Sequence, residues 1–227
     1  MSASTSRLKK PISKNLTAAL IQPPPLRSGP AVETFRLLAL NLQRLLGSED
    51  RRAIAVLSAW PGDGRSLVAT SVARALAELM PPVLLVDADP LGSGVEELMA
   101  DSLWDLNGNG HSGSRTLGNY PVNQVGGNSN LRVLVPPRRW TTVPRSPVVF
   151  VEELNHAIDL AMAEGITVVV DTPPCTTSSI PFYIAGMATG ALYVARRRIQ
   201  DSRTHRDVRA QLDMLNTRIL GVVFNEG

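Results

Sequence analysis

The chain is 227 residues long, 44% apolar, and carries a net charge of only +3, which supplies a core for one ordinary domain and excludes global disorder. No apolar run reaches the ~20 residues that a membrane helix needs, and no apolar segment follows the basic N-terminal residues as a cleaved signal would require. The single cysteine, Cys175, excludes an internal disulfide, and His111, His156 and His205 stand too far apart for zinc-type spacing, so a cytoplasmic protein is expected.

Residues 1–30 are expected to form a flexible tail, because Ser and Lys are frequent and Pro23, Pro24 and Pro25 block regular helix. All three lysines (Lys9, Lys10 and Lys14) lie there, and every later basic residue other than histidine is arginine. An amphipathic helix is predicted over 31–46, with Phe35, Leu38, Leu42 and Leu45 on one face and Gly47 as its stop. Beyond it, apolar strand-like runs at 53–58, 83–87, 131–135, 166–171, 190–195 and 219–224 alternate with helical patterns at 66–79, 150–163, 178–188 and 201–216. This alternation predicts an α/β fold over 31–227, a parallel β-sheet flanked by helices on both faces. Ligands in such sheets bind at the carboxyl ends of the strands. Residues 102–130, rich in Gly, Asn and Ser around Trp104 and Tyr120, are expected to be a long flexible insertion or loop.

The stretch Ser58, Ala59, Trp60, Pro61, Gly62, Asp63, Gly64, Arg65, Ser66 joins the strand at 53–58 to the helix at 66–79. Strand, glycine-containing loop and helix in that order make a phosphate cradle: backbone N–H groups at the helix start point at the anion, and the helix dipole favours negative charge there. The strand at 83–87 ends in Asp87, followed by Ala88 and Asp89, and the strand at 166–171 ends in Asp171. Carboxylates at that edge can hold Mg²⁺ or take a proton from a nucleophile. The last strand runs into Asn225, whose amide offers both a donor and an acceptor and suits a base edge.

That order of motifs resembles the MinD/ParA group of P-loop NTPases, and within it the bacterial tyrosine kinases (BY-kinases) of capsule and exopolysaccharide assembly. Ser58, Pro61, Gly62, Asp63, Gly64 and Ser66 are similar to the kinase-type Ser-x-x-Pro-Gly-Glu-Gly-Lys-Ser loop. Asp87-Ala88-Asp89 resembles the kinases' Walker A′ motif, Asp171-Thr172-Pro173-Pro174 their Walker B motif, and the helix from Glu33 to Leu42 the segment before the loop. The resemblance covers residue 31 to the end, without 102–130. It implies ATP or ADP bound by Pro61, Gly62, Asp63, Gly64, Arg65, Ser66 and Leu67, with Asn225 at the adenine. It further implies Mg²⁺ held by Ser66, Asp87 and Asp171, and catalytic roles for Asp87 (base), Asp89 (metal-side partner) and Arg65. The partner it implies is the cytoplasmic segment of a membrane-embedded polysaccharide co-polymerase or chain-length regulator. That would place the chain in the cytoplasm, peripheral to the inner face of the membrane, with homo-oligomerisation left open.

The departures from the family pattern point the other way. Arg65 stands where family loops have lysine, and a broad planar fork does not fit the channel of a compact ammonium. Walker A′ continues with Pro90, Leu91 and Gly92 rather than arginine, and the family's Glu-x-x-Arg-x-x-Arg oligomerisation signature has Ala39 at its last position after Glu33 and Arg36. Tyr120, Tyr183 and Tyr193 are scattered rather than clustered at the end, so self-phosphorylation of the usual kind is not expected. Together these features predict a nucleotide-binding or regulatory relative with weak or no phosphotransfer. The alternatives are an active kinase or ATPase using arginine, and a positioning ATPase that binds DNA or membrane. Arg203, Arg206 and Arg209 are interrupted by Asp201, Asp207 and Asp213, which predicts a solvated face rather than a nucleic-acid surface. Arg196, Arg197 and Arg198 are expected to be a solvated cluster. Arg138, Arg139 and Trp140 offer too little aromatic surface to stack bases. Cys175 is expected to be a buried filler.

Overall fold

The computed structural model describes residues 20–21, 30–47, 52–92, 94–103, 115–125, 128–136, 146–196 and 202–226. The runs Ala53–Ser58 (β2), Val83–Asp87 (β3) and Thr167–Asp171 (β7) are buried along their whole length, as strands covered on both faces must be. Gly190–Arg196 (β8) and Ile219–Asn225 (β9) extend them on one side. On the other lie Asn128–Leu134 (β6), Tyr120–Val125 (β5) and Arg115–Leu117 (β4). With the two-residue strand Leu20–Ile21 (β1), the described strands form one sheet in the order β1-β9-β8-β2-β7-β3-β6-β5-β4. All pairings from β1 to β6 are parallel, and β6-β5 and β5-β4 are antiparallel.

Helices cover both faces, as the alternation predicts. Pro30–Leu46 (α1), Arg65–Leu79 (α2) and Gly94–Leu103 (α3) lie on one face. Their core joins Phe35, Leu42, Val72, Leu76 and Met99 to Ile54, Leu85, Val169, Leu192 and Val223. Pro147–Ala163 (α4), Ile180–Met187 (α5) and Ser202–Met214 (α6) lie on the other, joining Leu154, Ile158, Ile184 and Leu212 to Leu57, Leu84, Val170 and Ala191. Successive strand residues therefore feed opposite cores, which is the two-residue period of a pleated strand. Local signals start and stop the helices. Pro30 opens α1 and Glu33 sits in its first turn, Gly47 ends it at φ +60°, and Ser146 caps α4 by accepting the Val148 N–H ahead of Pro147.

The structure corrects the pattern at three places. Residues 102–130 are not one loop. The chain carries α3 to Leu103 and then the β4–β5–β6 meander, because Tyr120, Val122 and Val125 point inward between less buried neighbours and Gly118 takes φ +58° in the turn. The buried face of α1 is Phe35, Ala39, Leu42 and Leu46, with Leu38 partly buried and Leu45 exposed. A 3.6-residue helix whose small Ala39 admits close packing turns that stripe by one position. Within 1–30, Leu20–Ile21 pairs with Phe224 and Asn225. Pro23, Pro24, Pro25 and the three lysines lie outside the described residues, as do Arg138, Arg139, Trp140, Arg197, Arg198 and Asp201.

Candidate phosphate-binding site

The site stands where β2, β3, β7 and β9 end. Parallel register sets Asp87 beside Asp171 and Asp171 beside Val56, two residues before Ser58. Paired residues in parallel strands share a face, so Ser58, Asp87 and Asp171 all turn toward the side that α2 covers. The chain leaves β2 through a turn in which Gly62 has φ +80° and Gly64 φ +90°, the left-handed region that only glycine enters readily. The first backbone bond inside α2 runs from Val68 N–H to the Gly64 carbonyl (3.0 Å). The N–H groups of Arg65, Ser66 and Leu67 precede it and have no acceptor within the helix, and no side chain caps that end. A helix start of this kind is built to receive an anion.

Other residues hold the loop in shape. The Asp63 carboxylate accepts the Trp60 N–H at 2.9 Å, and the Asn225 amide donates to the Asp63 carbonyl at 3.1 Å. Asn225 is buried and braces the loop from the last strand. Past β7, Cys175 N–H and Thr176 Oγ1 tie that turn to the carbonyls of Ser58 and Ala59. A Cβ on Gly64 would overlap the Asn225 amide nitrogen. Gly64→Ala is therefore expected to cost about 1–2 kcal/mol from backbone strain, read as a lower urea midpoint. An unchanged midpoint would mean that the loop is not locked.

The side chain of Arg65 turns inward instead of reaching over the loop. It is only 8% exposed. Its Nε donates to Asp171 Oδ1 (3.1 Å), Nη1 to the Ser58 hydroxyl (3.1 Å) and Nη2 to Asp89 Oδ2 (3.3 Å). The other Asp89 oxygen accepts the N–H groups of Leu91 and Gly92, so Pro90, Leu91 and Gly92 form a turn closed by Asp89. Asp87 Oδ1 accepts the Asp89 N–H at 3.0 Å. Burial foremost, and then the neighbouring Asp171, push the Asp87 carboxyl up to about 8. Burial pushes Asp171 up to about 6 against the opposing pull of Arg65 and of hydrogen bonds from Ser66 and Arg65. The Cys175 thiol is driven up to about 12 by burial, which makes it inert.

The structure thus brings together Pro61, Gly62, Asp63, Gly64, Arg65, Ser66, Leu67, Asp87, Asp89, Asp171 and Asn225 at one edge of the sheet. Ser58, quoted in the loop motif, receives a role the sequence did not assign. Its signal was its place as the last residue of β2, on the same face as Val56. Elsewhere, Arg36 pairs with Glu33 (2.6 Å) and with Glu78 of α2 (2.8 Å), and Ala39 is fully buried. On α6, Arg203 faces Asp207 and Arg209 faces Asp213, the solvated face predicted. Arg196 lines a separate apolar cavity of about 450 Å³ between α6, β8 and β9.

Test of fit separates two groups. A phosphate chain fits the uncapped start of α2. A divalent cation fits poorly, because a buried guanidinium holds one oxygen of Asp171 and one of Asp89, and the other Asp89 oxygen accepts two backbone N–H groups.

Sheet order, helix placement and loop define the fold of the MinD/ParA-like P-loop NTPases, which bacterial tyrosine-kinase domains share. No protein-family model matches the chain. The succinoglycan biosynthesis transport protein ExoP of Rhizobium meliloti (strain 1021) is 26% identical over 211 residues, 86% of this chain and 25% of that protein. The chain thus spans about a quarter of its curated relative. Among solved structures, the chimerical protein CapA2B2 superposes with a TM-score of 0.70 at 20% identity, over 88% of this chain and 86% of its own. The kinase domain of Escherichia coli tyrosine kinase ETK does so at 0.69 and 21%, over 86% and 75%. MinD of Aquifex aeolicus does so at 0.53 and 19%, over 77% and 68%.

Proposed function

We propose that the chain binds ATP or ADP through residues 61–67 and serves exopolysaccharide or capsule assembly as a BY-kinase-like subunit with weak or no phosphotransfer. The observation that carries this reading is the direction of Arg65. The one cation of the loop is fixed on Asp171, Asp89 and Ser58, so it is not free to follow an outer phosphate as it is transferred. Binding then rests on the N–H groups of residues 65–67, which have no acceptor within α2, and on the α2 dipole. Charge that can move with a developing transition state is missing, and the loss of one such donor slows an enzyme by about 10²–10³.

The likeness to ExoP, a biosynthesis transport protein of which this chain spans a quarter, supports a partner of the membrane co-polymerase kind. A peripheral cytoplasmic position through that partner belongs to the same proposal; no helix among the described residues is long and apolar enough to cross a membrane. The ion-paired face of α6 speaks against nucleic acid as a partner.

Titration calorimetry with ATP and ADP, followed by phosphate-release assays, tests the reading. The native chain is expected to bind both nucleotides and to turn over barely above background. Arg65→Lys is expected to raise phosphate release by ~10²-fold. No heat with either nucleotide would sink nucleotide binding. Robust turnover by the native chain, or phosphotyrosine formed on it, would sink the weak-transfer reading in favour of an active enzyme that uses arginine.

A further inference from the structure

We propose that the Arg65 guanidinium is the resident cation of this site, so that it takes a nucleoside di- or triphosphate without a divalent metal. The inference rests on the nucleotide reading above and assigns the charge that such a ligand would meet. Three contacts define the position. Arg65 lies between Asp171, at the end of β7, and Asp89, just past the end of β3, with Ser58 behind it. Those carboxylates end the strands that flank the loop, where a cation serving bound phosphates would have to sit.

The coordination chemistry then disfavours a second cation, with Asp87 Oδ1 also committed, to the Asp89 N–H. Mg²⁺ demands six oxygens in near-octahedral order at about 2.0–2.1 Å. Both Asp89 oxygens already accept hydrogen bonds: one holds Arg65 and the other holds Leu91 and Gly92 N–H. Asp171 accepts from both Arg65 and Ser66. A guanidinium cannot shed its proton to make room, because it stays charged at any working pH. An incoming divalent ion would face that fixed positive charge on a side chain only 8% exposed. Expelling the fork would leave Asp171 charged, buried and short of a partner.

The same geometry leaves Arg65 able to meet phosphate. A guanidinium has five N–H donors. Three are committed, one each from Nε, Nη1 and Nη2, so each terminal nitrogen keeps one. The side chain springs from the first residue of α2, next to the free N–H groups of Ser66 and Leu67. An anion bound to that helix start would lie within the same small basin of positive charge. Lysine at this place would put one mobile ammonium at the phosphates and free both carboxylates to hold metal. Arginine joins the two tasks in one planar group.

Paired titrations of the native chain with ATP and with ADP, once in EDTA and once in excess Mg²⁺, test this directly, with Arg65→Lys as the companion. The native chain is expected to bind with dissociation constants that agree within about threefold in the two buffers. Arg65→Lys is expected to bind at least about tenfold more tightly with Mg²⁺ than with EDTA. Native binding that needs Mg²⁺ by tenfold or more overturns the inference and leaves nucleotide binding standing. No binding in either buffer overturns both. An Arg65→Lys chain as indifferent to metal as the native one removes Arg65 as the cause. The native pair of titrations decides even if the variant folds poorly.

Discussion

Arg65→Met is expected to lower the unfolding free energy at neutral pH by on the order of 3–5 kcal/mol, the cost of orphaning one member of a buried ion pair. Methionine keeps the apolar stem and much of the volume, so the loss isolates the fork from its packing. Asp171 is 1% exposed, and with Arg65 gone only the Ser66 hydrogen bond would still favour its charged form. Asp171→Asn in the Arg65→Met background is therefore expected to recover most of the loss. Asp171→Asn alone is expected to leave Arg65 with Asp89 and Ser58 and to cost less than Arg65→Met. Urea unfolding of the four proteins closes the cycle. A loss below about 1 kcal/mol for Arg65→Met, in the range of an exposed pair, would mean that the guanidinium spends its time in solvent and that the inward geometry does not describe the folded protein.

That geometry could not be read from residue types. An arginine in a lysine position announces a charge and a misfit of shape, and the sequence supports equally a fork over the loop mouth and a fork against the strands. The register decides between them. Because Asp171 pairs with Val56, its carboxylate lies on the α2 side of the sheet, as does Ser58, and the three contacts of the fork are all within reach of the first residue of α2. By contrast, the apolar runs ending in Asp87 and Asp171 were legible because strands buried on both faces tolerate little but Val, Leu and Ile until they emerge at the edge, where a carboxylate becomes affordable. The antiparallel end of the sheet was hidden by composition. Arg115–Leu117 and residues 128–130 at the start of β6 are mostly polar, and Leu117, Tyr120, Val122 and Val125 mark the inner face of the part that was not read. Helix α3 was missed for a related reason: Gly94 opens it and Pro90, Leu91 and Gly92 stand before it, all reading as turn. Asn225 was legible as a polar residue ending a strand, whereas its use as a brace on Asp63 depends on where the loop folds back.

Asp87 gives the site a pH dependence whose sign is opposite to that of an ordinary ion-paired carboxylate. Its folded value, about 8, lies above the ordinary 3.8, so between these limits the folded chain holds a proton that the unfolded chain has released. Stability falls with rising pH wherever the folded state binds more protons. The contribution is fully present below about pH 4 and is lost as pH rises through about 8. Asp171, raised to about 6, adds a loss of the same sign that is complete earlier. From about pH 6 to about pH 8 only Asp87 of the two still differs between the states, and one proton over two pH units is worth about 2–3 kcal/mol. Asp87→Asn mimics the protonated form and keeps an oxygen for the Asp89 N–H. The advantage of the variant over the native chain is expected to grow by about 2–3 kcal/mol between pH 6 and pH 8, measured by urea unfolding in EDTA without nucleotide. The gain arises because an asparagine cannot be forced to ionise beside Asp171 in a position 3% exposed. Native and variant chains whose midpoints run parallel from pH 6 to pH 8 would place the Asp87 carboxyl in water, and with it the packed edge of strands on which Arg65 rests.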